Sequence, residues 1–243
     1  MARIEELAFT PTPMGELTLR RRFDPVVDAD VFEVKLGDEF LMSSLFTAAE
    51  EELSRLGLAA LEGERPLTVV VGGLGLAYTA VTALDDSRVA SLTVIDALPA
   101  VIDWHERRLL PTSGRLLDDG RTALVEADFF AVMRTEPGTH PALAEPVDAI
   151  LLDVDHTPQH TLHPSHADLY TVEGFGRLAR YLRAGGVFAL WSDEPPHPDT
   201  MTALAEVFAR VDGHVVEFPN PLTGETSTNG VYVARVSASV PSP

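Results

Sequence analysis

A chain of 243 residues, 45% of them hydrophobic, is long and apolar enough to bury one large α/β core with a small appendage. It contains no cysteine, which excludes a disulfide framework, a thiolate nucleophile and a cysteine-ligated metal. A formal net charge of -19, from 37 acidic against 18 basic residues, argues against nucleic acid or an anionic membrane as partner and favours the approach of cations.

Residues 1–13 read as a loose, proline-containing start that lacks the basic-then-apolar pattern of a signal peptide. Residues 14–40 read as short strands: Gly15 to Arg21 alternates, Asp24-Pro25 suits a connection, and Val31 to Leu36 ends at the turn signal Gly37-Asp38. This gives a β appendage over 1–42 ahead of a main domain over 43–243. From Ser43 to Leu61 apolar residues recur at helical spacing, with Glu50, Glu51 and Glu52 among them, and Gly63 and Pro66 close the segment. Strands are then expected at 67–72, 91–96, 122–126, 147–152 and 187–191, with helices near 76–84, 99–109, 128–134, 171–183 and 199–210. Gly185-Gly186 reads as the cap of the 171–183 helix. Two final strands, 214–218 and 230–236, have no helix between them and should pair as a hairpin. No stretch approaches the roughly 20 apolar residues of a membrane span, so the expectation is a soluble, cytoplasmic α/β protein.

Chemistry concentrates where the strands end. Gly73, Leu74 and Gly75, with Ala77 beyond, form a glycine turn between a strand and a helix, and Asp96 follows about twenty residues later. Glycines let backbone approach a ligand, and a carboxylate at Asp96, next to Ala97, can accept both ribose hydroxyls. A helix cap is the plainer role for Asp96. The turn has few glycines for a pyrophosphate, so an uncharged or cationic nucleoside fits better than a dinucleotide. Asp128 lies just past the third strand, where it can accept from an adenine amine with Phe129 flanking the base; a helix cap has the same spacing. Asp153 and Asp155, with His156, follow the fourth strand, facing the crevice where open α/β sheets bind ligands. They can hold and deprotonate an amine or offset a sulfonium. Asp155 and His156 are therefore candidate substrate-binding residues. His156, His160, His163 and His166 would share a helix face and bind zinc, but Pro158 and Pro164 argue against a continuous helix, so a substrate-covering loop without metal is expected. Trp104 and Trp191 read as packing residues.

Taken together, these residues resemble the class I S-adenosylmethionine-binding fold and, more narrowly, the spermidine synthase (polyamine aminopropyltransferase) family, over roughly residues 30–236. Asp38-Glu39-Phe40 resembles a segment of that family, as do Asp96 with Pro99, Asp128, Asp153 and Gly185-Gly186-Val187. The resemblance implies a Rossmann-like methyltransferase fold with a mostly parallel seven-stranded sheet and a C-terminal antiparallel hairpin. It implies ribose binding by Asp96, adenine binding by Asp128, and Asp153 as the catalytic base. It also implies a tendency to dimerise, so a homodimer is possible. The chain departs from the family at Met42-Ser43-Ser44, where the family carries Tyr-His-Glu, and at Asp155-His156-Thr157-Pro158, where the family's second Asp directly precedes proline. It also lacks the family's acidic residue within Leu74-Gly75-Leu76 and its tyrosine in the 223–229 loop. The nucleoside half of the family's site is retained and the putrescine half is not.

The expected function is transfer of an aminopropyl group from decarboxylated S-adenosylmethionine, or a close relative, to a small cationic amine. The alternatives are a small-molecule methyltransferase using S-adenosylmethionine itself and a non-catalytic nucleoside-binding protein. Methyl transfer requires a partner for the donor's carboxylate, either backbone amides at Gly73–Gly75 or the cations Arg20 to Arg22.

Overall fold

The computed structural model describes residues 4–12 and 15–238. Its core is built on strict alternation along the strands. Val69 and Val71, Ala149 and Leu151, and Val187 and Ala189 face one layer, whereas Val70, Ile150, Leu152, Phe188 and Leu190 face the other. A strand covered on both faces has no reason to keep a polar side, so it reads as a continuous apolar run.

Those strands are β5 (Leu67–Gly72), β6 (Val89–Asp96), β7 (Thr122–Glu126), β8 (Val147–Leu152), β9 (Leu182–Ser192), β10 (Arg210–Asn220) and β11 (Glu225–Arg235). They form one sheet in the order β10-β11-β9-β8-β5-β6-β7. Five of them, β5 to β9, run parallel, and β10 and β11 form the expected antiparallel hairpin against β9. The order reverses direction at β5, so the carboxyl ends of β5 and β8 open a crevice.

Helices α1 (Ala48–Ala59), α2 (Tyr78–Ala83), α3 (Pro99–Glu106) and α4 (Ser113–Leu117) contribute to the first layer. Helices α5 (Phe129–Met133), α6 (Val172–Ala179) and α7 (Pro198–Ala205) contribute to the second. Gly57 lets α1 lie directly on the sheet, because a Cβ there would stand 2.8 Å from a Leu151 methyl and 3.0 Å from the Ala189 Cβ. Asp148 is the one carboxylate buried within β8; it accepts from the Thr68 N–H at 2.7 Å and pairs with Arg183 at 2.8 Å.

A separate antiparallel sheet runs β1 (Ile4–Thr12), β2 (Gly15–Asp24), β3 (Ala29–Leu36) and β4 (Glu39–Ser43). Leu17, Leu19, Val34 and Leu36 join it to the first layer. The loose start expected over 1–13 is therefore a strand from Ile4 to Thr12; residues 1–3 and 13 lie outside the described residues. Its proline is tolerated because β1 is an edge strand, where a missing N–H costs no ladder bond. Other limits also differ. The helix expected from Ser43 begins only at Ala48, because Ser43 completes β4. The 99–109 helix stops at Glu106, with Arg108 at φ 55°, and α4 follows unanticipated. The 199–210 helix stops at Ala205. Helix α6 ends at Ala179, and Gly185-Gly186 lie inside β9 rather than capping it. Tyr181 follows the helix end and is buried, its hydroxyl within hydrogen-bond distance of the Val132 and Thr135 carbonyls, which anchors the chain in the core.

Candidate functional site

The glycine turn is shaped by backbone crowding at the sheet's crevice. Gly73 has φ 94°, and a Cβ on it would collide with the Asp153 carbonyl oxygen. Only glycine lets the turn after β5 pass this close to the end of β8. Ala77 closes the turn at φ 66°, an unfavourable region for a residue with a Cβ, directly before α2. The far side of the turn is tied down from α3 and α4. His105 donates Nε2–H to the Gly75 carbonyl at 2.9 Å and accepts from Ser113 at 3.1 Å, while Thr112 donates to the Leu76 carbonyl at 2.7 Å. Burial pushes the His105 pKa down, which favours the neutral ring, and the Gly75 carbonyl opposes that shift.

Asp96 sits at the end of β6 and grips the turn. One carboxylate oxygen accepts from the Leu74 N–H and the other from the Leu98 N–H, both at 2.8 Å. Burial pushes this carboxyl up, and the N–H groups of Leu74, Leu98 and Gly75 oppose the shift. Asp128 caps α5, accepting from the Ala131 N–H at 3.1 Å, and remains exposed. The capping role is therefore seen directly, and the same residue lines a recess beside α5.

The expected residues converge on two joined chambers. The smaller, about 300 Å³, is lined by Gly73, Gly75, Asp96, Ala97, Asp128, Phe129 and Asp153, with Trp104 in its wall. The larger, about 590 Å³, is lined by Leu74, Gly75, Glu50, Asp153, His156, Trp191, Asp193 and Asn229. Gly75, Asp153, Leu41, Met42, Val154 and Leu162 line both, so Asp153 stands at their junction. Both volumes suit small-molecule sites. Among the described residues neither lining includes a lysine or arginine.

Asp153 is held by the Thr79 hydroxyl, which donates to it at 2.5 Å, and burial pushes its pKa up to about 6. Glu50, on α1, is pushed up to about 8 by burial and by the facing Asp153 charge. Three carboxyls, Glu50, Asp153 and Asp193, therefore meet in the larger chamber with no lysine or arginine among its described lining residues, an arrangement suited to a cationic guest.

Asp155 departs from expectation. Its side chain is buried and lines neither chamber; it accepts from the Leu162 N–H at 2.7 Å, His166 at 2.8 Å and the Tyr170 hydroxyl at 2.8 Å. It secures the histidine-bearing loop instead of meeting substrate. The four histidines have separate tasks. His156 bonds Glu39 at 3.0 Å, His163 caps the turn beginning at Pro164, and His166 stacks on Phe130 at 3.7 Å between ring centres. His160 meets the His156 ring. Among the described residues no three metal-capable side chains are grouped to hold a metal. Arg20 and Arg22 are bound to Glu33, and Arg21 to Glu5, on the small sheet away from the cleft. Trp191 and Trp104 are wall residues of the cleft, beyond their packing role; the Trp191 Nε1 is buried and has no hydrogen-bond partner among the described residues. Glu50, Thr79 and Asp193 carry no motif that marks them in the sequence.

No protein-family model and no curated protein matches the sequence. Solved structures do resemble it. A spermidine synthase in complex with the transition-state analogue AdoDATO aligns with a TM-score of 0.72 at 15% identity, over 96% of this chain and 74% of that one. The spermidine synthase of Thermotoga maritima aligns at 0.70 and 14% identity, over 96% and 73%. Human methyltransferase-like protein 13, in complex with SAH, aligns at 0.56 and 18% identity, over 77% and 82%. At such identities the likeness shows the fold: the Rossmann-like architecture that these transferases share. Among the described residues no helix is long and apolar enough to cross a membrane.

Proposed function

We propose that the chain is a spermidine synthase-like transferase that binds a decarboxylated S-adenosylmethionine-type nucleoside and moves its aminopropyl group to a small cationic amine. The observation that carries this reading is the pair of chambers joined at Asp153, one edged by Asp96 and Asp128 and the other walled by Glu50, Asp153 and Asp193. Asp96 accepts ribose hydroxyls, and Asp128 and Phe129 face the base. Asp153 orients the acceptor and takes the proton from its ammonium. The freed nitrogen lone pair forms the new C–N bond to the propyl carbon. The C–S bond breaks with its electron pair passing to sulfur, leaving neutral methylthioadenosine. In-line placement of the two partners supplies most of the acceleration such a displacement needs. Trp191 lines the acceptor chamber, where an indole attracts a cation.

The choice of the decarboxylated donor over S-adenosylmethionine rests on charge. A donor carboxylate would enter a cleft whose described walls carry the carboxyls of Glu50, Asp96, Asp128, Asp153 and Asp193 and no lysine or arginine. The groups that could have received it are committed elsewhere. The Leu74 N–H is bound to Asp96, the Gly73 N–H donates to the Ile95 carbonyl at 2.9 Å, and Arg20 to Arg22 are ion-paired on the small sheet.

Calorimetry with decarboxylated S-adenosylmethionine, S-adenosylmethionine and methylthioadenosine tests the reading. Binding of the decarboxylated form is expected to be at least tenfold tighter than that of the carboxylated form, a difference of about 1.4 kcal/mol. The reverse preference would replace aminopropyl transfer with methyl transfer.

A further inference from the structure

We propose that Glu50 is the residue that selects a donor ending in an ammonium, holding that group against the α1 wall while Asp153 serves the acceptor. The inference rests on the donor reading above and deepens it.

Glu50 opens a run of three glutamates whose other members serve the surface. Glu51 and Glu52 pair with Arg55 at 2.7 and 2.9 Å, whereas Glu50 lines the larger chamber. Its position is fixed through α2. The Ser54 hydroxyl, one turn further along α1, donates to the Thr79 carbonyl at 2.6 Å. The Thr79 hydroxyl donates to Asp153 at 2.5 Å and lies 3.4 Å from the Glu50 carbonyl oxygen. One residue thus ties the Glu50 backbone to the Asp153 carboxylate.

The glycine turn itself, Leu74-Gly75-Leu76, carries no charge, and Glu50 lines the chamber together with Gly75, Leu76, Ala77 and Tyr78. The wall beside the turn therefore takes its acid from α1. Asp193 stands on the hairpin side, where Asn229 donates to its carboxylate at 3.0 Å and its carbonyl at 2.8 Å. The two outer acids occupy different walls on either side of Asp153. A propyl chain leaving the sulfonium along the glycine turn would carry its ammonium toward Glu50, leaving Asp153 and Asp193 for the acceptor.

The charge balance agrees. Asp153, Asp193 and Glu51 all act on Glu50, and Glu50 in turn acts on the Tyr78 hydroxyl. With burial added, its carboxyl keeps a proton at neutral pH. An arriving ammonium supplies the balancing charge and expels that proton.

The test is titration calorimetry on the full chain and on Glu50→Gln, near-isosteric with the protonated acid, at pH 7 in buffers of differing ionisation enthalpy. Glu50→Gln is expected to weaken decarboxylated S-adenosylmethionine at least tenfold, to leave methylthioadenosine within twofold, and to abolish proton release. Equal losses for both ligands would show a structural role and overturn the inference, as would unchanged affinity for both. If the unaltered chain binds neither ligand, the donor reading itself falls, an outcome distinct from the failure of Glu50 alone.

Discussion

Asp153→Asn is expected to lower kcat by about 10²- to 10⁴-fold, the range for loss of a general base, while methylthioadenosine affinity stays within twofold. The separation follows from what holds the side chain. The Asp153 N–H donates to the Gly72 carbonyl at 2.8 Å and the Thr79 hydroxyl donates to the carboxylate. An asparagine keeps both bonds and its place at the junction but cannot accept a proton. The pH profile gives a second readout. Burial raises the Asp153 pKa to about 6, so the proposed base takes up a proton as pH falls through that value. Wild-type kcat/KM should accordingly fall below about pH 6, and the variant should lack that limb. Stopped turnover assays across pH measure both. Activity within tenfold of wild type would remove Asp153 from the chemistry.

Asp96→Ala is expected to weaken every adenosyl ligand by about 10²- to 10³-fold, the loss of two hydrogen bonds to a charged acceptor at roughly 1.5–3 kcal/mol each, offset by partial solvation. The side chain has a double duty. It faces the smaller chamber, and its two oxygens fasten the N–H groups of Leu74 and Leu98. Removing it therefore takes away the proposed ribose acceptor and frees the turn that shapes the recess. Calorimetry with methylthioadenosine isolates this effect, because that ligand has no ammonium or carboxylate to meet the larger chamber. Unchanged binding would show that the nucleoside does not lie along β6.

The parts of this site that are legible in the sequence lie at strand ends. β5, β7 and β8 have the limits that their apolar runs announce, so the strand pattern alone places Gly73, Asp96, Asp128 and Asp153 in one crevice. The same strand-end logic fails at Asp155. Beyond the end of β8 the chain curls back, and the N–H of Leu162, the His166 ring and the Tyr170 hydroxyl claim its carboxylate. Those partners lie 7, 11 and 15 residues away, and no local pattern encodes their return. Glu50 is hidden for another reason. In three consecutive glutamates on a helix, each side chain turns about 100° from the last, and only the docking of α1 on the sheet at Gly57 decides which one enters the cleft. Thr79 reads as one more small residue of α2 until the crossing of α1, α2 and β8 brings it to Asp153. The early strand β1 escapes notice because Pro11 suggests a loop, although an edge strand accepts it.

Product analysis distinguishes aminopropyl transfer at the Asp153 junction from methyl transfer. The protein is incubated with decarboxylated S-adenosylmethionine and a panel of small aliphatic amines, and in parallel with S-adenosylmethionine and the same amines. Methylthioadenosine released in step with an aminopropylated amine, only from the decarboxylated donor and lost in Asp153→Asn, is the predicted result. Methylated amine with S-adenosylhomocysteine, and no methylthioadenosine from any pairing, would contradict it.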